Sequence, residues 1–300
     1  MKPIIKYTVP NLAIMKQRGS LRSRSDLLMK LNDTLNSRDF GLVEVPGDFI
    51  KNPSEENRTG LTVGSMVLGK ATAQALYSDE PGDSITPVAG YILHTEPGLS
   101  RKGATPVTPK LKWHDPDWVS LFLRHIFSIV DYLGRPPYAV ELHPGSSQRG
   151  QNTLVSVAEG IYRVSQELSS RFGAPVQVFV ENRTGQVVRT GPQMRQLWEY
   201  LAERYPDLTQ VCGFVVDLQQ LHTSTRARFL DELSEVPAES IAGYHVHRLH
   251  REPSLDDPIP WLEVADLIAR ARRPLHILPE VHHVDQLLMT YRFCKEVLRL

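Results

Sequence analysis

Cysteine is almost absent from this chain, with two residues in 300, Cys212 and Cys294, and no CxxC pair. A disulfide framework is therefore excluded, and a reducing, cytoplasmic setting is the expectation. Cys212 borders an apolar run and reads as a small core residue. Net charge is missing as well: 34 lysines and arginines balance 34 aspartates and glutamates. That argues against a protein that coats nucleic acid by bulk charge, while leaving room for a locally basic groove. No stretch approaches the roughly 20 apolar residues of a membrane span, and the opening MKPIIKYTVPN lacks an apolar segment long enough for a secretion signal. A glycine-rich phosphate loop is also lacking, since GSMVLGK (64–70) has the wrong spacing for one. No low-complexity stretch divides the chain.

What is present is ordinary in amount and regular in order. Hydrophobic residues make up 41% and charged residues 23%, enough for a chain of this length to bury a full core without staples. Eight short β-like runs can be marked, at 4–9, 41–45, 88–93, 138–142, 176–180, 213–216, 243–246 and 275–278. Several are nearly continuous apolar runs such as VQVFV and CGFVV, as strands covered on both faces must be. Helical patterns lie between them at 25–35, 117–134, 152–173, 194–205, 226–236, 259–273 and 284–298. Asp115 or Asp117 is a candidate cap for the second, and Asn152 opens and Gly173 closes the third. The alternation predicts one (β/α)8 barrel spanning residues 1–300. A doubly wound open sheet is the alternative, but it would need a phosphate loop after an early strand. The longest irregular segment, 95–113, is rich in Pro, Gly, Lys and Arg and would leave the third strand at the active-site end of a barrel.

The strand ends carry the chemistry. The third run ends at His94, the fourth at His143, the fifth at Glu181, the sixth at Asp217, the seventh at His245 and His247, and the eighth at Glu280. Barrel enzymes draw their catalytic groups from the C-terminal ends of several strands. Imidazoles and carboxylates are the donors expected for a divalent ion such as Zn²⁺ or Mn²⁺. A buried carboxylate at the end of an apolar strand is costly without a partner, and a shared cation removes that cost. Singly, each residue has a plainer reading. Glu181 or Asp217 could cap a helix or pair with an arginine, and His143, before Pro-Gly, could hydrogen-bond its own loop. His245 and His247 share one parity, so both can face inward; one ligates and the other supports or holds substrate. Glu141 shares the face of His143 and reads as a buried supporting group. His282 and His283 fall on the loop into the last helix.

The segments HPGSSQ, ENRTGQ, FVVDLQQ and ILPEV resemble, in order, those of endonuclease IV, a member of the xylose-isomerase-like barrel superfamily. The family pattern is HPGS, ENTAGQG, DTCH, a His-rich seventh strand and a Glu on the eighth. The resemblance spans 138–280, or from 88 if His94 matches an earlier ligand. It implies hydrolysis of a phosphodiester at or near an abasic or damaged site in DNA. It also implies one metal held by His94, His143 and Glu181, and a second by Glu181, Asp217, a seventh-strand histidine and Glu280, with Glu181 bridging. Matching the preceding glycine favours His245, and matching the His-x-His of sugar epimerases favours His247. The chain departs from the family at Gln220, where the family has histidine, and at SLDDPIPW, which has Asp256 and Asp257 but no histidine. Those positions carry the family's third metal, so one or two ions are expected here. The family's DNA-penetrating loops on the first two strands have no match.

Arg183, Gln220, Arg248 and Arg251 are the substrate-contact candidates. Arg149 and Arg189 also fall on top-face loops, and Arg101, Lys102, Lys110 and Lys112 would extend a basic track along the long segment. The alternative function is a metal-dependent sugar isomerase or epimerase, with a small sugar in place of DNA and Glu181 or Glu280 moving protons at carbon. A third reading keeps the barrel and loses the chemistry.

Overall fold

The computed structural model describes residues 4–10, 21–46, 90–95, 111–147 and 152–300. GSMVLGK, the start of the third predicted strand, most of the 95–113 segment with Arg101, Lys102 and Lys110, and Arg149 lie outside the described residues.

Eight parallel strands close in sequence order: β1 (Ile5–Val9), β2 (Phe40–Pro46), β3 (Gly90–His94), β4 (Ala139–Leu142), β5 (Gln177–Glu181), β6 (Cys212–Asp217), β7 (Ile241–His245) and β8 (Leu275–Leu278). Closure is made by β1 on β8, with Ile5 opposite Leu275 and Tyr7 opposite Ile277. The helices outside are α1 (Leu21–Leu35), α2 (Pro116–Leu133), α3 (Leu154–Phe172), α4 (Gly191–Arg204), α5 (Leu218–Thr225), α6 (Phe229–Glu235), α7 (Trp261–Ile268) and α8 (Val284–Glu296). The barrel, not the open sheet, is the fold. Among the described residues no helix is long and apolar enough to cross a membrane.

Two apolar layers hold it together. Val43, Val45, Tyr91, Leu93, Val140, Val178, Val180, Phe214, Val216, Tyr244 and Ile277 belong to the large core cluster packed under the helices. The intervening residues Leu42, Ile92, Ala139, Phe179, Val215 and Ala242 form a second, smaller cluster inside the barrel. Strand side chains alternate between faces, so on β2 to β6 the inward column continues two residues later. Those next positions are Glu44, His94, Glu141, Glu181 and Asp217, all buried. The inside of the barrel thus changes from apolar to ionisable within one step toward the C-terminal ends. Gly243 permits close packing on β8, because a Cβ there would lie 2.3 Å from the His276 carbonyl oxygen.

Local signals set the helix starts. Asp115 caps α2, accepting from the Asp117 and Trp118 N–H groups, and left-handed Gly134 closes it. Gly173 closes α3 as its sequence suggests, but Thr153, not Asn152, is the N-cap: Thr153 and Ser156 form a reciprocal capping box. Asn152 is occupied elsewhere, donating from Nδ2 to the carbonyls of Leu111 and Ser146, which ties the approach to α2 to the loop after β4. Helix α5 is not anticipated by the hydrophobic pattern. It begins directly after β6 because Asp217 is its N-cap, with Oδ1 accepting from Gln220 N at 2.8 Å.

Candidate metal centre

The strand ends bring His94, His143, Glu181, Asp217, His245, His247 and Glu280 into one buried cluster, none more than 5% exposed. It has two lobes. In the first, His94 Nε2 lies 3.2 Å from His143 Nε2 and 3.1 Å from Glu181 Oε2, and His143 Nε2 lies 2.7 Å from that same oxygen. In the second, Asp217, His245 and Glu280 each present a donor atom within 4.8 Å of the others. Glu141 stands between, its Oε1 3.6 Å from His94 Nε2 and 3.0 Å from His245 Nε2.

The ring tautomers follow from the neighbours. His94 Nδ1 is 2.6 Å from Glu44 Oε1, so the carboxylate accepts the Nδ1 hydrogen and Nε2 is the nitrogen turned to the first lobe. This is the carboxylate–histidine arrangement that orients metal ligands. Glu44 escaped the sequence reading; its signal is a lone acid in the apolar run LVEV. His247 is the opposite case. Its Nδ1 accepts from His250 N at 3.0 Å, which places the hydrogen on Nε2, 3.0 Å from Glu280 Oε2 and 3.4 Å from Asp217 Oδ2. His247 is therefore a hydrogen-bond donor to these carboxylates. Neither nitrogen of His245 has an aligned hydrogen-bond partner, although Glu141 and Glu280 come within 3.0 and 3.7 Å of it.

Electrostatics without an ion are correspondingly tense. Burial opposes charge on His94, but Glu141, Glu181 and Glu44 outweigh it and hold this ring well above the ordinary histidine range. Burial likewise opposes charge on His245, and Glu141, Glu181 and Glu280 push it up to about 10. Burial pushes His143 down, with Arg183 and His94 acting in the same direction against Glu181. Burial favours neutral carboxyls, yet His143 and His94 hold Glu181 well below its usual range, and His247 and His245 lower Glu280. The carboxylates around His247 also favour its protonated form. The His250 N–H opposes this, because a second hydrogen on Nδ1 would face the first, so we assign the neutral Nε2–H ring.

A divalent ion fits this donor set. Tetrahedral ligands about 2.1 Å from an ion sit about 3.4 Å from one another, near the spacings in the first lobe. Glu141 Oε1 and both nitrogens of His245 are buried without an aligned partner, a cost that coordination removes. Nitrogen and carboxylate donors suit Zn²⁺ and Mn²⁺.

The loops frame the cluster. Asn182 clamps the end of β5 to that of β6, donating to Asp217 O and accepting from Asp217 N. Arg183 turns toward the first lobe, with Nη1 3.2 Å from His143 Nε2. Gln220 does not face the cluster with its amide oxygen, which accepts from Thr184 N. Arg248 donates to Gln219 Oε1 and lies near Asp257, and Arg251 is exposed. Arg248 and Arg251 bracket a two-residue turn closed by backbone hydrogen bonds of 2.8 and 3.0 Å. Its central residues, Leu249 and His250, both have positive φ, 51° and 58°, which costs about 1–2 kcal/mol for each non-glycine residue. The turn places the His250 N–H on His247 and stacks the His250 ring between His247 and His282, with centroids 4.8 and 5.2 Å away. Sequence reading missed His250, because nothing in RLHRE marks a left-handed turn. His282 lies in the loop before α8, whose N-cap position is His283.

No protein-family model matches the chain, and no curated protein matches it in sequence. Solved structures share its shape. A D-tagatose 3-epimerase-like protein aligns over 98% of this chain and 97% of its own, at 15% identity and a TM-score of 0.52. IOLI protein, solved with a bound zinc atom, aligns over 98% of each chain at 11% identity and a TM-score of 0.53. An AP endonuclease of family 2 from Brucella melitensis aligns over 94% of this chain and 93% of its own, at 9% identity and a TM-score of 0.55. At these identities the likeness is one of fold, the closed eight-stranded parallel barrel.

Proposed function

We propose that this protein is a divalent-metal-dependent phosphodiesterase acting on DNA at abasic or damaged sites. The observation that carries this reading is the His94–His143–Glu181 triad beside Asp217, His245 and Glu280. A sugar isomerase working with one ion needs only the second group, together with Glu181. A phosphodiester displacement uses two, one toward the attacking and one toward the leaving oxygen. An ion at each triad, Zn²⁺ or Mn²⁺, would supply the Lewis-acid charge and an activated water.

The chain's own residues do the rest. Glu181, in contact with both first-lobe histidines and within reach of His245, would bridge the two ions. Glu181 and Glu280 are held ionised by neighbouring imidazoles, which suits ligands better than proton carriers. His245 is the seventh-strand ligand, since the hydrogen on His247 Nε2 leaves that atom no lone pair, and His247 orients Asp217 and Glu280. Arg183 and the rim arginines Arg248 and Arg251 are the phosphate contacts. Gln220, bonded to the loop after β5, supports that loop and does not replace a third-metal ligand.

The test is a short duplex with one abasic site, incubated with Mn²⁺- or Zn²⁺-reconstituted protein and with Glu181→Gln. Incision by the parent and loss of at least about a hundredfold in the variant are expected. The second reading is a sugar epimerase, favoured by the fold shared with a D-tagatose 3-epimerase-like protein. Absence of incision together with interconversion of ketose sugars would establish it and overturn the first.

A further inference from the structure

Arg183 follows Glu181 and Asn182 where the chain leaves β5, and its Nη1 lies 3.2 Å from His143 Nε2. That nitrogen is the one the first triad presents, 3.2 Å from His94 Nε2 and 2.7 Å from Glu181 Oε2. A neutral imidazole nitrogen has a single lone pair. A metal ion needs that lone pair, and a guanidinium cation held 3.2 Å from the same nitrogen excludes the ion by charge and by space. The second lobe differs, since Asp217 and Glu280 pair there with histidines.

We propose that Arg183 is a built-in competitor for the cation of the His94–His143–Glu181 triad, displaced when a phosphodiester draws its guanidinium away. This rests on the two-ion reading above. The guanidinium offers a planar, paired donor fork that matches a phosphate and that a lone imidazole nitrogen engages only once. A phosphate at the rim and a cation in the triad both favour the state in which Arg183 has left His143. Their affinities are then linked, each raising the other by the same factor. The device would keep the first triad weak for free metal and complete the two-ion site when a phosphodiester arrives.

The experiment is a Mn²⁺ titration of the whole protein, reading free Mn²⁺ by electron paramagnetic resonance, with and without dimethyl phosphate. The proteins are the parent, Arg183→Gln, and Arg204→Gln, which removes the same charge from the exposed end of α4. The parent should bind one ion tightly and a second more weakly, with dimethyl phosphate strengthening the second. Arg183→Gln should bind the second ion about tenfold more tightly than the parent, an ordinary size for such coupling, and lose the response to dimethyl phosphate. Arg204→Gln should match the parent. Two ions bound by Arg183→Gln with parental affinities would overturn the competition and leave the two-ion reading standing. One ion in both parent and variant would overturn that reading and the competition with it. If the glutamine variant fails to fold, Arg183→Ala takes its place under the same outcomes.

Discussion

Replacing Glu44 tests whether the first lobe is a metal site supported from behind. Glu44 Oε1 and His94 Nδ1 are 2.6 Å apart, and both side chains are buried to within 2% of complete. The pair fixes which His94 nitrogen carries hydrogen. Glu44→Ala removes that acceptor, leaves a buried N–H unpaired and frees the ring to turn or to swap its tautomer. Supporting carboxylates of this kind are worth about 10–100-fold in metal affinity, or about 1.4–2.8 kcal/mol. Glu44→Gln keeps an acceptor oxygen in nearly the same volume and should lose less, about tenfold or under. Calorimetric Mn²⁺ titrations of parent, Gln and Ala proteins rank the three, and thermal melts without metal show whether each still folds. A folded Glu44→Ala protein that binds both ions with parental affinity would refute the assignment of His94 Nε2 as a ligand and of Glu44 as its support.

Metal uptake should release protons. His94 and His245 hold theirs above neutral pH in the metal-free protein, so an ion must displace them. Affinity should then rise with pH through the neutral range and weaken as pH falls, with about one proton released per histidine. Titrations in buffers of different ionisation enthalpy measure that number, and zero release would contradict it. Gly243→Ala should destabilise the barrel by at least about 2 kcal/mol or prevent folding, because its Cβ meets the His276 carbonyl at 2.3 Å; an unchanged melting temperature would count against the packing described. Leu249→Gly should do the reverse. Leu249 is 63% exposed with φ 51°, so glycine relieves left-handed strain and should stabilise by about 0.5–1 kcal/mol, seen as a higher melting temperature with metal affinity unaltered.

The order of the strands, and the position at which β2 to β6 each turn from apolar to ionisable, are properties of the sequence alone. FGLVEV, GYILH, AVEL, QVFVE and CGFVVD each carry their ionisable group on the face that a period of two assigns. An eight-fold β/α alternation leaves few ways to bury those runs other than a closed barrel. Both cysteines are buried and free, as two isolated thiols in apolar segments should be. Local cap chemistry was legible at Asp115 and Gly173, and misread by one residue at Asn152, because a distant carbonyl, that of Leu111, claims its amide.

The tertiary structure decided what pattern cannot encode, namely which atom faces which. The sequence sets His245 and His247 on one face with nothing to separate them. The choice between them comes from a backbone N–H at His250, delivered by a turn whose two left-handed residues no glycine announces. Glu44 becomes part of the centre only through a contact with a histidine 50 residues away. Arg183 looks like any rim arginine until the loop after β5 lays it against His143. Strand periodicity is a local consequence of backbone geometry, so a sequence displays it. Ring tautomers, lone pairs and the reach of a long side chain depend on neighbours brought together only when the barrel closes.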